Sequence, residues 1–227
     1  MQPDPASFAA VADGDAYAIA EALTGFRVPK HRYRRGTTYA LARPEGYVLV
    51  DAVHEVTARA LAEHLAGRPV LAVLITHADL LRQAFGPPPM LSRCFNGAPV
   101  VVHAADAVIP GTTSTEAAAE LLDRLDLDVY HLPGHTPGSV AYRDRVHGYL
   151  FAGDAVVGRP FGDDPARQTA SHPPIAADDY EAYVAAWRSV TDRVTTVLPL
   201  HGEPLLGGGA LDEAVAAAAD PARVMRA

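Results

Sequence analysis

Five side chains in this sequence could hold a metal ion. His77 follows the apolar run PVLAVLI, His135 lies in a Pro-Gly turn after DVYHL, Asp154 ends YLFAG, His201 ends TTVLPL, and Asp79 stands two residues past His77. Imidazole nitrogens and carboxylate oxygens are ligands for zinc and iron(II), and an ion held by three of them keeps one position for water. A sheet edge suits such ligands, because the strands are rigid while the turns that follow present the side chains. Residue type alone leaves a plainer reading open, since aspartate is an ordinary turn residue and the chain has ten histidines.

The elements that must deliver these residues are legible from pattern. Thr37 to Leu41 and Gly46 to Val50 are β-rich and flank the turn Arg43-Pro44-Glu45-Gly46, which predicts a hairpin ending at Asp51. Thr57 to Leu65 has helical periodicity with Gly67 as a stop. Pro69 to Ile75 is apolar throughout and reads as a strand buried on both faces. Leu80 to Phe85 starts a helix that the run Gly86-Pro87-Pro88-Pro89 closes, and Pro99 to His103 is a further strand. Ser114 to Leu125 reads as an amphipathic helix capped by Ser114 or Thr115. Strands are expected up to Leu132, over Val140 to Tyr142, over Tyr149 to Ala152 and over Thr195 to Leu200. A helix is expected over Asp178 to Val190, with Tyr180, Val184 and Trp187 on one face, and an alanine-rich helix after Gly207 to Gly209. Ala16 to Leu23 fits helix or strand, and Met1 to Gly14 reads as a loose arm. Two sheets packed face to face with helices outside would bury this pattern in one domain over residues 1–227.

Composition narrows the partners. A hydrophobic content of 49% and a charged content of 20% are those of an ordinary globular chain. The net charge of -8 argues against a nucleic-acid partner, and the short basic run from Lys30 to Arg35 reads as a solvated rim. No apolar stretch reaches the ~18 residues that span a bilayer, so no membrane partner is expected. One cysteine, Cys94, and no basic-then-apolar N-terminal leader make the cytoplasm the expected compartment. A small-molecule substrate is expected; composition leaves the oligomeric state open.

The chain resembles the metallo-β-lactamase superfamily over nearly its whole length, from TYALARPEGYVLVDAV through LAVLITH, LPGHTPGS, LFAGD and VLPLHGEP. The resemblance implies an α+β fold, a four-layer αββα sandwich with one or two metal ions at the sheet edges. It implies that His77, His135, Asp154 and His201 are metal ligands, and that Asp51 supports the site from behind them. The sequence departs from the family's His-x-His-x-Asp-His signature: where the second histidine, the aspartate and the last histidine belong, it has Asp79, Leu81 and Arg82.

Counting ligands gives the consequence. The first site keeps His77 and His135 with Asp79 in place of a histidine, while the second keeps only Asp154 and His201. One divalent ion is therefore expected, zinc first, with iron or manganese as alternatives. Arg82 could occupy the place of the second cation by pairing with Asp154, or point to solvent. With one ion bound, the resemblance implies hydrolysis of an ester, lactone, thioester or amide. Asp79 or Asp154, whichever is not consumed as a ligand, would then orient the water or take its proton, and His201 would meet the substrate or the developing negative charge. Two alternatives stay open: a metal-free protein that binds or scaffolds, and a structural ion without turnover. Of the remaining histidines, His54 could line the pocket and His103 fits a turn, while His31, His64, His131, His147 and His172 read as surface or loop residues.

Overall fold

In the computed structural model, residues 10–31, 34–83, 86–107, 109–158, 170–171 and 180–223 are described. The first sheet places β1 (Ala16–Ala20), β2 (Leu23–His31), β3 (Arg34–Arg43), β4 (Gly46–Val50), β5 (Val70–Leu74), β6 (Val100–Val102) and β7 (Thr113–Ser114) side by side in that order. Its hairpin half is antiparallel, and from β4 onward the strands run parallel. The second sheet holds β8 (Leu127–His131), β9 (Val140–Asp144), β10 (Tyr149–Gly153), β13 (Thr196–Pro199) and β14 (Leu205–Leu206), in the spatial order β14-β13-β10-β9-β8. A small ladder pairs β11 (Val156–Val157) with β12 (Ala170–Ser171).

Successive side chains on a strand point to opposite faces, and the core divides by that parity. Tyr39, Leu41, Val48, Val50, Ala72 and Leu74 face Val140, Tyr142, Tyr149, Phe151 and Leu198 between the two sheets. Their neighbours Ala40, Tyr47, Leu49, Val73 and Ile75 face outward, where helices α1 (Ala58–Leu65), α2 (Asp79–Gln83) and α3 (Pro88–Cys94) cover them with Leu61, Leu65, Leu80, Leu81 and Leu91. On the far side Ala141, Leu150, Ala152 and Val197 meet Tyr183 and Trp187 of α5 (Tyr180–Arg188) and the alanines of α6 (Ala210–Ala219). The short helix α4 (Ala119–Arg124) sends Leu122 into the layer between the sheets. Helix, sheet, sheet, helix is thus the layering that the strand patterns require. Buried Ala210, Ala214, Ala217 and Ala218 repeat at helical spacing and let α6 lie close on its sheet.

Four expectations change. The segment Leu23–His31, which carried no clear strand signal, is the nine-residue β2. Arg27 hides its pattern: it is fully buried, its charge met by Glu203 at 3.1 Å and its Nη1 bonded to Thr37 at 3.2 Å. The helix expected from Ser114 starts only at Ala119, because Ser114 pairs with Val102 in β7; the Ser114 hydroxyl instead accepts the Ala117 N–H at 3.1 Å. The proline run does more than end a helix, since Pro88 opens α3, where the missing N–H costs nothing. The uncertain Ala16 to Leu23 segment resolves as β1 and the start of β2. Residues 159–169 and 172–179 lie outside the described residues, as do residues 1–9 of the N-terminal arm.

Candidate metal centre

Each candidate ligand is placed where its strand stops. His77 follows β5, His135 lies in the turn between β8 and β9, Asp154 follows β10, and His201 follows β13. The turns are tied across the sandwich. Val140 N–H of the second sheet donates to Thr76 O of the first at 2.9 Å, and Thr37 N–H of the first donates to Leu200 O at 2.7 Å. His201 itself is held on both sides, by a bridge to Gly36 and by Gly158 N–H donating to its carbonyl at 2.8 Å.

Asp154 Oδ2 is the hub. The Nε2 atoms of His135, His77 and His201 lie 3.7, 3.8 and 4.0 Å from it, and Asp79 Oδ2 lies 3.5 Å from His135 Nε2. Ligands of one tetrahedral zinc, bonded at ~2.1 Å, stand about 3.4 Å apart. The observed spacings are wider by up to about 0.6 Å, a donor set that suits a divalent ion. Among the described residues, His77, His135 and Asp154 form the group whose ligand atoms all lie within 4.8 Å of one another. Asp79 and His201 flank this group, Asp79 beside His135 and His201 beside Asp154. The His77 and His135 rings meet edge to face, with centroids 4.7 Å apart.

The residues behind His77 orient it. Asp51 accepts the Thr76 N–H at Oδ1, 2.9 Å, and the Thr76 hydroxyl at Oδ2, 2.8 Å. That hydroxyl oxygen also lies 3.0 Å from His77 Nδ1. Above about pH 7, where Asp51 is ionised, the one hydroxyl proton goes to the carboxylate, so the oxygen accepts from Nδ1–H and leaves the Nε2 lone pair facing Asp154. Burial lowers the His77 pKa to about 4, outweighing the nearby Asp154 carboxylate, so the ring is neutral at pH 7 and able to coordinate. Burial also pushes the Asp51 carboxyl up to about 7, against its hydrogen bonds from Thr76. Gly153 makes room for this relay: at φ +54 a Cβ there would sit 2.1 Å from Thr76 Oγ1.

Asp51 thus stands behind His77, joined to it through Thr76. Leu81 does not approach the centre; it is buried in the apolar layer over the first sheet, so the signature position it occupies faces the core. The Arg82 side chain, as a partner for Asp154, lies outside the described residues. His54 is half-buried, and its pKa is lowered first by burial and then by His201, which sets it beside the centre. Three histidines read as surface or loop residues have partners. His131 stacks on His103 with centroids 4.1 Å apart, His64 packs edge-on to Phe26, and His147 bonds Asp144 at 2.6 Å. His172 lies outside the described residues.

Two residues at the site carried no signal. Thr76 is adjacent to His77, and a hydroxyl next to a ligand was the one available hint. Asp106, in the turn after β6, is buried and accepts from Ala78 N–H at 2.9 Å, Thr136 Oγ1 at 2.6 Å and Gly138 N–H at 2.9 Å.

The chain is similar to known proteins in sequence and in fold. Over 67 residues it is 45% identical to the hydroxyacylglutathione hydrolases of Aeromonas hydrophila and Aeromonas salmonicida. That stretch is 27% of this chain and 26% of either hydrolase, well under two thirds of their length. In structure it matches a metallo-beta-lactamase from Erythrobacter litoralis, with TM-score 0.62 and 18% identity over 92% of this chain and 94% of that one. It also matches a metallo-beta-lactamase from Pontibacter korlensis, with TM-score 0.59 and 18% identity over 91% and 99%. A further match, with TM-score 0.54 and 24% identity over 80% and 94%, is to a protein solved in a di-iron-bound form. These likenesses establish the αββα fold. The metallo-beta-lactamase superfamily model matches residues 85–202, just over half of the sequence, and the chain belongs to that superfamily.

Proposed function

We propose that the protein is a metal-dependent hydrolase with one divalent ion, held by His77, His135 and Asp154 and flanked by Asp79 and His201. The observation that carries this reading is the convergence of three imidazole nitrogens on one carboxylate oxygen at 3.7 to 4.0 Å. A divalent ion there supplies acidity to a water molecule and polarises a carbonyl, with zinc first and iron or manganese as alternatives. His77 contributes a neutral ring with its lone pair outward, and Asp154 contributes the negative charge at the centre. Asp79, whose side chain is 39% exposed beside His135, faces incoming water and takes its proton. His201, beside Asp154, faces the carbonyl oxygen on which negative charge develops. The apolar burial of Leu81 supports one ion rather than two.

The bond cleaved is an acyl bond: ester, lactone, thioester or amide. The short likeness to hydroxyacylglutathione hydrolases puts a small-molecule thioester first. The exposed, single Cys94 suits a reducing cytoplasm. No described helix is long and apolar enough to cross a membrane.

Protein loaded with zinc, manganese or iron(II) is expected to hydrolyse a hydroxyacyl thioester of glutathione, or an ester or lactone of similar size. Chelator should stop the reaction and Asp79→Asn should slow it. A protein that binds one ion yet turns over none of these acyl compounds has a structural metal, and the hydrolase reading fails.

A further inference from the structure

We infer that Asp106 is a positioning residue, whose carboxylate clamps the loop of His77 and Asp79 to the loop of His135 and so sets the shape of the ion site. The inference rests on the one-ion reading above and adds to it a residue that contacts no ligand side chain. Asp106 follows β6, in a turn where its own N–H donates to His103 O at 2.9 Å. Its Oδ2 accepts from Ala78 N–H, which lies between His77 and Asp79, and from the Thr136 hydroxyl, next to His135. Its Oδ1 accepts from Gly138 N–H, three residues past His135. One carboxylate therefore binds a turn of the first sheet and a turn of the second.

The clamp is tight and specific for a carboxylate. The side chain is buried, and among the described residues no ion pair offsets its charge, so these donors are what make burial tolerable. Gly138 has no Cβ because one would lie 2.4 Å from Asp106 Cγ. Thr136 is itself locked, its N–H donating to Ser139 Oγ at 2.9 Å and its hydroxyl 3.0 Å from the same oxygen. Asparagine has the same size but only one acceptor oxygen. With the amide oxygen at the Oδ1 place, the NH2 confronts Ala78 N–H and the loop of His77 and Asp79 loses its bond to residue 106; with the oxygen at the Oδ2 place, the NH2 confronts Gly138 N–H and the loop of His135 is held by Thr136 alone.

The test uses Co2+ as the probe on the full chain. Asp106→Asn should keep its fold by circular dichroism, bind Co2+ about 10- to 100-fold more weakly than wild type, and show an altered visible Co2+ spectrum. A role in stability alone would lower the melting temperature and leave the spectrum and affinity as in wild type, and that result overturns the inference. If Asp106→Asn does not fold, Thr136→Val decides: it removes one bond to the carboxylate and should weaken Co2+ binding about fivefold. Unchanged binding in that variant overturns the clamp. If wild type takes up no Co2+, the one-ion reading falls, and the clamp is judged by imidazole NMR of the metal-free protein. Shifted His77 and His135 resonances in Asp106→Asn support it; unshifted ones overturn it.

Discussion

Asp144 and Asp154 close adjacent strands of the same sheet. Because β9 and β10 run antiparallel, the two carboxylates lie at opposite ends of the sandwich, both buried. Asp144 is met by Arg43 Nη2 at 2.6 Å, His147 Nδ1 at 2.6 Å and the N–H groups of His147 and Val146 at 3.1 and 3.2 Å. Arg43 also donates to Leu125 O at 2.9 Å. Burial alone would raise the Asp144 pKa, but the hydrogen bond and charge of Arg43 bring it below the usual carboxylate range. Asp154 instead faces three imidazole nitrogens, one of them on a ring that stays neutral down to about pH 4. A permanent guanidinium closes a buried carboxylate; imidazole nitrogens beside one leave a place for a cation. The difference separates a structural end of the fold from the end that carries the candidate metal centre.

Mutations should separate the two ends. Arg43→Met, which strands a buried charge, is expected to cost about 3–5 kcal/mol in denaturant unfolding and to leave metal stoichiometry unchanged. Asp154→Asn and His135→Ala should do the reverse: near-native unfolding of the metal-free protein, with zinc affinity in competition titrations down roughly a hundredfold to a thousandfold, one ligand's share of a typical site. Equal destabilisation by both kinds of variant would erase the distinction. Thr76→Val cuts the relay to His77 without touching a ligand, and should weaken zinc about 10- to 100-fold.

The smallest effect is in pH. The Asp144 pKa is lower folded than unfolded, so the stability it contributes is present above about pH 3.9 and is lost as pH falls through its folded value. Wild type and Arg43→Met should therefore converge in unfolding free energy below pH 4. A gap that stays constant to pH 2 would show that Arg43 acts by packing alone.

Much of this contrast was legible in the sequence, and its gaps have physical causes. His77, His135 and Asp154 could be found because an apolar run ending in a turn marks a strand end, and strand ends of packed sheets converge. The hairpin to Asp51 was equally plain, since its alternation and its Pro-Glu-Gly turn are local. Arg27 hid β2 because a buried arginine satisfied by Glu203, 176 positions away, looks from sequence like a surface residue. Asp106 was silent for the same reason: its partners lie 28 to 32 positions away and two of its three donors are backbone groups. Leu81 could be seen to break the signature, but that it joins the outer core needed the helix to be placed.

The most direct measurement is zinc equilibrium binding with elemental analysis of the repurified protein, wild type beside Asp154→Asn. One ion per wild-type chain and none in the variant is the result these distances predict. Zero ions in wild type, or the same occupancy in both proteins, would contradict a centre built on Asp154.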